Sequence, residues 1–545
     1  MVELPRARTL FELLREQAGM RADKVAVIDR GISITFSEIE ERARRLAAGL
    51  ESIGINRGDR VGLLMDNCVE WLEVAFGAAA LGAVTVPFST WSTPRELAYL
   101  IEDSQVNVLI AHPNFIGREF QTLLEDTVGW RNTKTQRQDC GARFPALRTV
   151  VLAGKERHRG FLHLDELRFG MPLFVPLAPG DGASAADDVF TLYTSGSSNR
   201  PKAVRLLHYA LIENGFNIGE RQGLGPEDRV LLSPPLFWAY GSANALPAGL
   251  THGAALVLQP RFEAGEALEL IERNCCTAIY TLPGMTSAIL EHSEFTKSRT
   301  GSLRTGLTIG APQDVFVAAE RLGSSEICNI YGASETYGNC CVTPHHWPLE
   351  QRAHCQGPPL PGVKIRIVDP ESGNSVVPGE IGQVEVRGYV TPGYCCASSE
   401  HNAAAFTADG YFRTGDIGRL NESAAFVFVG RSTEIIKRAG INVSPSEVEE
   451  VLLKHADVAQ AGVVGADDPE RGEIIVAFVV PRQGCHLETE KLIAHCRSLL
   501  SKYKLPDRIE LRKSLPFIST GKLARRSLKE SAQKLVKPEE EKAIG

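Results

Sequence analysis

The densest group of phosphate-seeking side chains is TLYTSGSSNRPKAV, residues 191–204, where an apolar, strand-like lead-in opens into hydroxyls, a glycine and a lysine. Thr194, Ser195, Ser197 and Ser198 offer hydroxyl donors, Gly196 lets a backbone approach closely, and Lys202 carries a mobile positive charge. That is the chemistry of a loop folding over phosphate oxygens. It is not the Walker A pattern, which needs a second glycine where Pro201 stands, followed by Lys-Ser/Thr. Taken alone, the segment reads equally well as a flexible serine-rich linker. Three further strings follow it in order: YGASE at 331–335, YFRTGD at 411–416 and FISTGK at 517–522. Each by itself is an ordinary turn or surface segment.

In that order the four segments resemble the adenylate-forming superfamily of acyl-CoA synthetases, adenylation domains and firefly-type luciferases. The resemblance runs over essentially the whole chain. It implies that Thr194 to Lys202 closes over the β- and γ-phosphates of ATP. Within Tyr331, Gly332, Ser334 and Glu335 it implies that Tyr331 lies against adenine, Ser334 faces phosphate and Glu335 holds Mg2+. One carboxylate suffices there, because Mg2+ keeps waters and takes its other ligands from phosphate. Asp416 is expected to accept from both ribose hydroxyls with Arg431 assisting, and Gly310, Ala311 and Pro312 stand where the family's backbone borders adenine and the acyl group. Lys522 matches the lysine that bridges the substrate carboxylate and the α-phosphate, two anions that a positioned ammonium and a metal bring together. Lys202, Glu335 and Lys522 are therefore the catalytic candidates.

The string GRSTEIIKRAGINVSPSEVEE, residues 430–450, resembles the family's hinge, with Thr433 at the pivot. The resemblance implies that the small domain rotates between two half-reactions, exchanging the face bearing Lys522 for one bearing Lys437, Gly440 and Asn442, where Gly440 lets pantetheine pass. A charged helix-capping loop is the plainer reading. Asn199 and Ala203 replace glycines usual in the phosphate loop, and Thr433 stands where Asp or Lys is common. Asparagine tolerates left-handed backbone better than most residues, so the loop can survive its change.

The elements that must position these groups alternate short β-branched runs with helical periodicity. Val25 to Ile28 is strand-like; Ile39, Ala43, Leu46 and Leu50 then mark one helix face, with Ser37 and Glu40 at capping-box spacing. Arg60 to Met65, Val84 to Phe88 and Asn107 to Ala111 read as further strands around a helix near Trp71 to Leu81. This predicts an α/β fold of layered subdomains with largely parallel sheet. Residues 130–143 read as a surface excursion, and near Gly430 the character changes. A boundary at 431–433 leaves an AMP-binding domain over 1–430 and a small, mobile α+β domain over 431–545 that carries Lys522. Within the latter, Ser444 and Glu447 suggest a second capping box.

The acyl pocket is expected from LFWAYGSAN at 236–244, with Phe237, Trp238, Tyr240 and Gly241, and from TLPGMT at 281–286, with Pro283 and Gly284. The first resembles the corresponding segment of benzoate-type aryl-CoA ligases. Flat aromatic faces suit an aromatic or other apolar acid, although the same rings fill cores equally well. The 236–244 segment holds no aspartate to pair an α-ammonium, which disfavours an α-amino acid. Coenzyme A is the expected acceptor because no carrier domain follows Lys522. A carrier protein acting in trans, and a weakened nucleotide-binding regulator, are the alternatives, and a second copy of the chain is a further candidate partner.

A net charge of −7 offers no general attraction to nucleic acid or anionic membrane. The twelve cysteines contain no CxxC, which is poor zinc spacing, and the amino terminus shows neither a signal-peptide core nor a spanning run. A cytoplasmic setting with free thiols is expected.

Overall fold

The computed structural model describes residues 3–115, 118–119, 143–170, 182–194, 201–432, 434–438, 441–468, 471–500, 502–517 and 523–536. The first helix, α1 (Leu10–Met20), starts at Thr9, whose hydroxyl accepts from Glu12 while the Glu12 carboxylate accepts from the Thr9 amide. Strands β1 (Val25–Asp29) and β2 (Ile32–Thr35) follow, joined by Arg30 and Gly31 in left-handed backbone, φ 49° and 79°. Helix α2 (Phe36–Ser52) buries the expected stripe of Ile39, Ala43, Leu46 and Leu50. Its cap differs from expectation. Thr35, not Ser37, accepts from Glu38 N–H at 3.2 Å, and the Glu38 carboxylate accepts from the Thr35 amide at 2.8 Å. Thr35 closes a strand and already has the extended backbone an N-cap requires, so it takes the role.

Next come β3 (Arg60–Leu64), α3 (Val69–Leu81), β4 (Val84–Pro87), α4 (Pro94–Ser104) and β5 (Val108–Ala111), then a short hairpin of β6 (Asn114–Phe115) and β7 (Arg118–Glu119). Strands β8 (Thr149–Leu152), β9 (Leu162–His163), β10 (Asp188–Thr194) and β11 (Lys202–Leu207) complete a seven-stranded sheet in the order β11-β10-β4-β3-β5-β8-β9. Of the expected surface excursion, only Arg143 is among the described residues.

A second, eight-stranded sheet uses β12 (Arg229–Leu232), β13 (Ala255–Leu258), β14 (Ala278–Tyr280), β15 (Thr305–Thr308), β16 (Cys328–Tyr331) and β17 (Cys341–Val342) in the order β17-β16-β15-β14-β12-β13-β1-β2. All pairings from β16 through β1 are parallel, and their near-continuous apolar runs are what burial on both faces demands. In β15, Gly306 has φ 136°, and a Cβ there would sit 2.0 Å from Ile279 O. One core lies between this sheet and the helix at Ala264–Asn274, uniting Leu231, Val257, Leu268 and Ile279. Each such side chain contributes about 1.5–3 kcal/mol by leaving water.

The chain forms two compact units, Met1–Ile365 with Val386–Phe412, and Arg366–Glu385 with Arg413–Gly545. The large amino-terminal domain is mixed α/β and the smaller carboxy-terminal one α+β. Strands β18 (Lys364–Val368), β19 (Gly382–Arg387), β20 (Phe412–Leu420) and β21 (Phe426–Arg431) form one four-stranded sheet. Strands β22 (Ile436–Arg438), β23 (Ile441–Val443), β24 (Val458–Asp468), β25 (Gly472–Pro481) and β26 (Arg508–Leu511) form another, with β25 central, β24 its antiparallel hairpin partner at the edge and β26 parallel to β25. The two faces of this sheet carry separate apolar clusters around Val463 and Phe478. The helix at Pro445–Leu453 begins after Ser444 as expected, but its capping box does not form. The Ser444 hydroxyl donates to Val429 O, and Glu447 pairs with Lys504.

Candidate active site

In the eight-stranded sheet the chain leaves β12 to reach β13 on one side and later returns to β14 on the other. Such a reversal opens a crevice beyond the carboxyl ends of the strands, where α/β proteins bind ligands. The residues expected to hold the acid and adenine follow those strand ends in turn. Phe237, Trp238, Tyr240 and Gly241 come after β12, Pro283 and Gly284 after β14, Gly310 to Pro312 after β15, and Tyr331 closes β16.

Phe237 is buried and Trp238 half-buried, and both meet Trp91 edge to face, at centroid distances of 5.2 and 5.1 Å. Tyr240 is buried, with its hydroxyl 2.9 Å from Leu307 O and 3.2 Å from Thr281 O, and burial pushes its ionisation far above that of a free phenol. It ties β12's loop to the ends of β14 and β15, so its hydroxyl serves the scaffold. Gly241 is a packing glycine, since a Cβ would lie 2.5 Å from Pro235 O. Gly284 is exposed and Pro283 half-buried.

After β15, Asp314 Oδ2 accepts from Ala311 N–H at 2.8 Å and would lie 2.5 Å from a Cβ on Gly310. The Asp314 side chain thus packs against Gly310, a position that leaves no room for a Cβ. Tyr331 is buried, and a Cβ on Gly332 would strike Gly338 O at 2.4 Å, so the turn into Ser334 and Glu335 needs glycine.

The phosphate-loop strands are antiparallel, and their last register pair is Thr194 with Lys202, which fixes both ends of the loop. Ser195, Gly196, Ser197, Ser198 and Asn199 lie outside the described residues. Ala203 sits in β11, where its carbonyl accepts from Cys395 N–H at 2.8 Å. The same segment pairs Tyr394 with Val204 and donates Thr391 N–H to Glu335 O at 2.7 Å. Tyr394 consequently stands between two sequence-predicted groups. Its hydroxyl donates to Glu335 Oε1 at 3.0 Å, and Lys202 Nζ lies 5.1 Å from its ring centroid. Burial, then the Glu335 carboxylate, push its ionisation far up, so it is a standing donor.

In the second unit, Asp416 and Arg431 face each other in the β20–β21 register, with Asp416 Oδ1 3.4 Å from Arg431 Nε. Asp416 is buried and Arg431 exposed. Lys437 is exposed, donates its amide to Glu473 at 2.7 Å and is the backbone partner of Asn442. Thr433, Gly440 and Lys522 lie outside the described residues, as does the Asn442 side chain.

Sequence reasoning missed Tyr394, Trp91 and the buried Tyr337, whose hydroxyl accepts from Leu207 N–H at 2.9 Å and holds the Glu335 turn to β11. It also missed Thr308, whose buried Oγ1 at the end of β15 makes no hydrogen bond among the described residues. An aromatic residue three positions after Thr391 in a glycine turn was the only signal for Tyr394.

The AMP-binding enzyme family model matches residues 14–395, and that of the AMP-binding enzyme C-terminal domain matches residues 447–522. A putative acyl-CoA synthetase of Bacillus subtilis, YngI, is 30% identical over 531 residues, covering 96% of each chain. The acyl-CoA ligase SID4 of Ajellomyces capsulatus is 31% identical and covers 97% of this chain and 92% of its own. Among solved structures, the anthranilate CoA ligase AuaEII in complex with anthranoyl-AMP superposes with a TM-score of 0.85 at 26% identity, covering 98% of both chains.

Proposed function

Because the chain belongs to the AMP-binding enzyme family of adenylate-forming ligases, we propose that it activates a carboxylic acid with ATP as an acyl-adenylate and then transfers the acyl group to coenzyme A, releasing pyrophosphate and AMP. The observation that carries this reading is the linkage of Lys202, Tyr394 and Glu335 beside the end of a parallel sheet. A cation from the phosphate loop and a carboxylate share one rigid aromatic support. Both halves of a magnesium–triphosphate site are thus within the reach of one side chain.

In the first step a carboxylate attacks a phosphorus surrounded by anionic oxygens, so the groups that act are those that offset charge. Lys202 and the hydroxyls of Thr194, Ser195, Ser197 and Ser198 hold the β- and γ-phosphates. Tyr394 fixes the orientation of Glu335, the residue fitted to hold Mg2+; when bound, that ion would supply charge neutralisation on the phosphates. Tyr331, with Gly310, Ala311 and Pro312, borders adenine, and Asp416 accepts from the ribose with Arg431 beside it. Lys522 bridges the attacking carboxylate and the α-phosphate. In the second step Lys437, Gly440 and Asn442 line the approach of the thiol, with residues 431–545 moving about Thr433.

An aromatic or other apolar acid is the substrate that the Trp91, Phe237 and Trp238 group supports. The similarity to an anthranilate CoA ligase supports the same class. No helix among the described residues is long and apolar enough to cross a membrane, and the described cysteines are free thiols. Both fit a cytoplasmic enzyme. The test is a panel of aryl and alkyl carboxylates screened for ATP–pyrophosphate exchange, followed by addition of coenzyme A and detection of the thioester by mass. Exchange with thioester formation supports the proposal. Exchange that proceeds to no coenzyme A thioester transfers the reading to carrier-protein loading, and ATP binding without exchange for any acid refutes it.

A further inference from the structure

Away from the nucleotide residues, the seven-stranded sheet has a reversal point of its own. From β3 the chain crosses through α3 to β4 on one side, and then returns past β3 through α4 to β5 on the other. The crevice between the carboxyl ends of β3 and β5 is therefore the place where this sheet would hold a ligand. Asp66 lies just beyond β3, Cys68 caps α3 without any side-chain hydrogen bond to the helix, and His112 directly follows β5. All three are buried, Cys68 completely.

One donor atom from each of Asp66, Cys68 and His112 lies within 4.8 Å of the other two. The His112 ring is oriented by Asp66, whose Oδ1 is 2.6 Å from Nδ1, and this directs Nε2 toward Cys68 Sγ at 3.9 Å. A tetrahedral ion with a nitrogen at about 2.0 Å and a sulfur at about 2.3 Å separates the two donors by about 3.5 Å. The observed spacing needs only a few tenths of an ångström of closure. A carboxylate on the remote nitrogen is also the usual outer partner of a metal-bound imidazole. Carboxylates outnumber cations around Cys68, with Asp29, Asp66 and Glu70 facing it against the Arg30 guanidinium. Asp29 is buried and leaves Oδ1 without a hydrogen bond among the described residues while Oδ2 accepts from Val69 N–H at 3.0 Å; Glu70 is half-buried, with Oε2 making no hydrogen bond among the described residues and Oε1 3.9 Å from Arg168 Nη2. Arg30 Nη2, 3.0 Å from Asp66 Oδ2, is the cation facing Asp66 from outside.

We propose that Cys68 and His112, with Asp66 holding the imidazole, form a buried site for a borderline divalent cation of the Zn2+ type. It is distinct in chemistry from the oxygen site at Glu335, because thiolate and imidazole select zinc-like ions over Mg2+. The ion would join the start of α3 to the end of β5, with Asp66 tying the imidazole to β3, and so clamp the sheet at its reversal point.

The test uses the full-length chain without a histidine tag, stripped with chelator and reloaded with Co2+. A thiolate-to-cobalt charge-transfer band at about one ion per chain is expected, and Cys68→Ser and His112→Gln are each expected to lose at least about tenfold in affinity, the low end for disrupted metal sites. Cys276→Ser, which alters a buried cysteine in the other sheet's core, is expected to keep the band. X-ray absorption at the zinc edge of the reloaded wild-type chain gives an answer independent of whether the variants fold, with sulfur and imidazole scatterers expected. Absence of the band in folded wild-type chain, a band undiminished in Cys68→Ser, or a zinc shell of nitrogen and oxygen alone would overturn the assignment.

Discussion

Tyr394→Phe removes one atom from the link between the phosphate loop and the Glu335 carboxylate. The lost hydroxyl donates to Glu335 Oε1 at 3.0 Å from a side chain that is 6% exposed, so water does not readily replace it. A hydrogen bond to a charged group contributes about 1.5–3 kcal/mol, which corresponds to about 10- to 150-fold in rate. The ring remains, and with it the contact to Lys202 at 5.1 Å. Tyr394→Leu removes both and is expected to lose a further factor of about 2 to 30, the worth of a cation–π contact of about 0.5–2 kcal/mol. Carboxylate-dependent ATP–pyrophosphate exchange, titrated with Mg2+, is the assay. Both variants should need more Mg2+ for half-maximal rate, because the carboxylate proposed to hold it is no longer aimed. Since burial and Glu335 keep the Tyr394 hydroxyl protonated, the ratio of wild-type to Phe variant should not change between pH 7 and about 10, where an ordinary tyrosine is about half ionised. Wild-type exchange with an unaltered Mg2+ requirement in Tyr394→Phe would refute the reasoning.

Lys522→Ala is expected to lower carboxylate-dependent pyrophosphate release on the order of 10²- to 10³-fold while transfer from a preformed adenylate to the thiol changes far less, and equal loss in both would refute its role. Gly306→Ala should destabilise the large unit beyond the ordinary cost of overpacking, about 1–3 kcal/mol, because it adds left-handed strain to a 2.0 Å approach to Ile279 O; an unchanged unfolding midpoint would contradict this. His208 is buried, accepts from Leu10 N–H at 3.1 Å through Nδ1, and burial lowers its pKa from 6.5 to about 4. Below pH 6.5 the unfolded chain takes up a proton that the folded chain refuses, so stability should fall as pH drops to about 4, by about 3 kcal/mol in total from this group. Denaturant unfolding of His208→Gln across that range should show a correspondingly shallower decline, and parallel curves would contradict it.

The parts of this site legible in the sequence are those whose chemistry is local. The hydroxyls and lysine of residues 194–202 suggest a phosphate loop within one string and gain that meaning only beside the other three segments, whereas the apolar runs of β12 to β16 declare buried parallel strands. Tyr394 was hidden because its meaning arises from pairings with Val204 and Glu335, far away in the chain. Two overlapping Ser/Thr-x-x-Glu strings at Thr35 and Ser37 offered the same cap, and only the strand before Thr35 decided between them. Tyr240 read as a pocket wall from its type, whereas its hydroxyl is engaged by two main-chain carbonyls contributed by other strands. Asp66, Cys68 and His112 show no metal spacing along the chain, since the last two meet only because β3 and β5 are neighbours.

The most direct measurement is isotope exchange between pyrophosphate and ATP, run on wild-type and Glu335→Gln protein with an acid that the wild type accepts. The account predicts exchange that requires both the acid and Mg2+ and falls on the order of 10²-fold or more in the variant, as for loss of a charge-stabilising group. Exchange of equal rate in Glu335→Gln, with the same Mg2+ dependence, would contradict it.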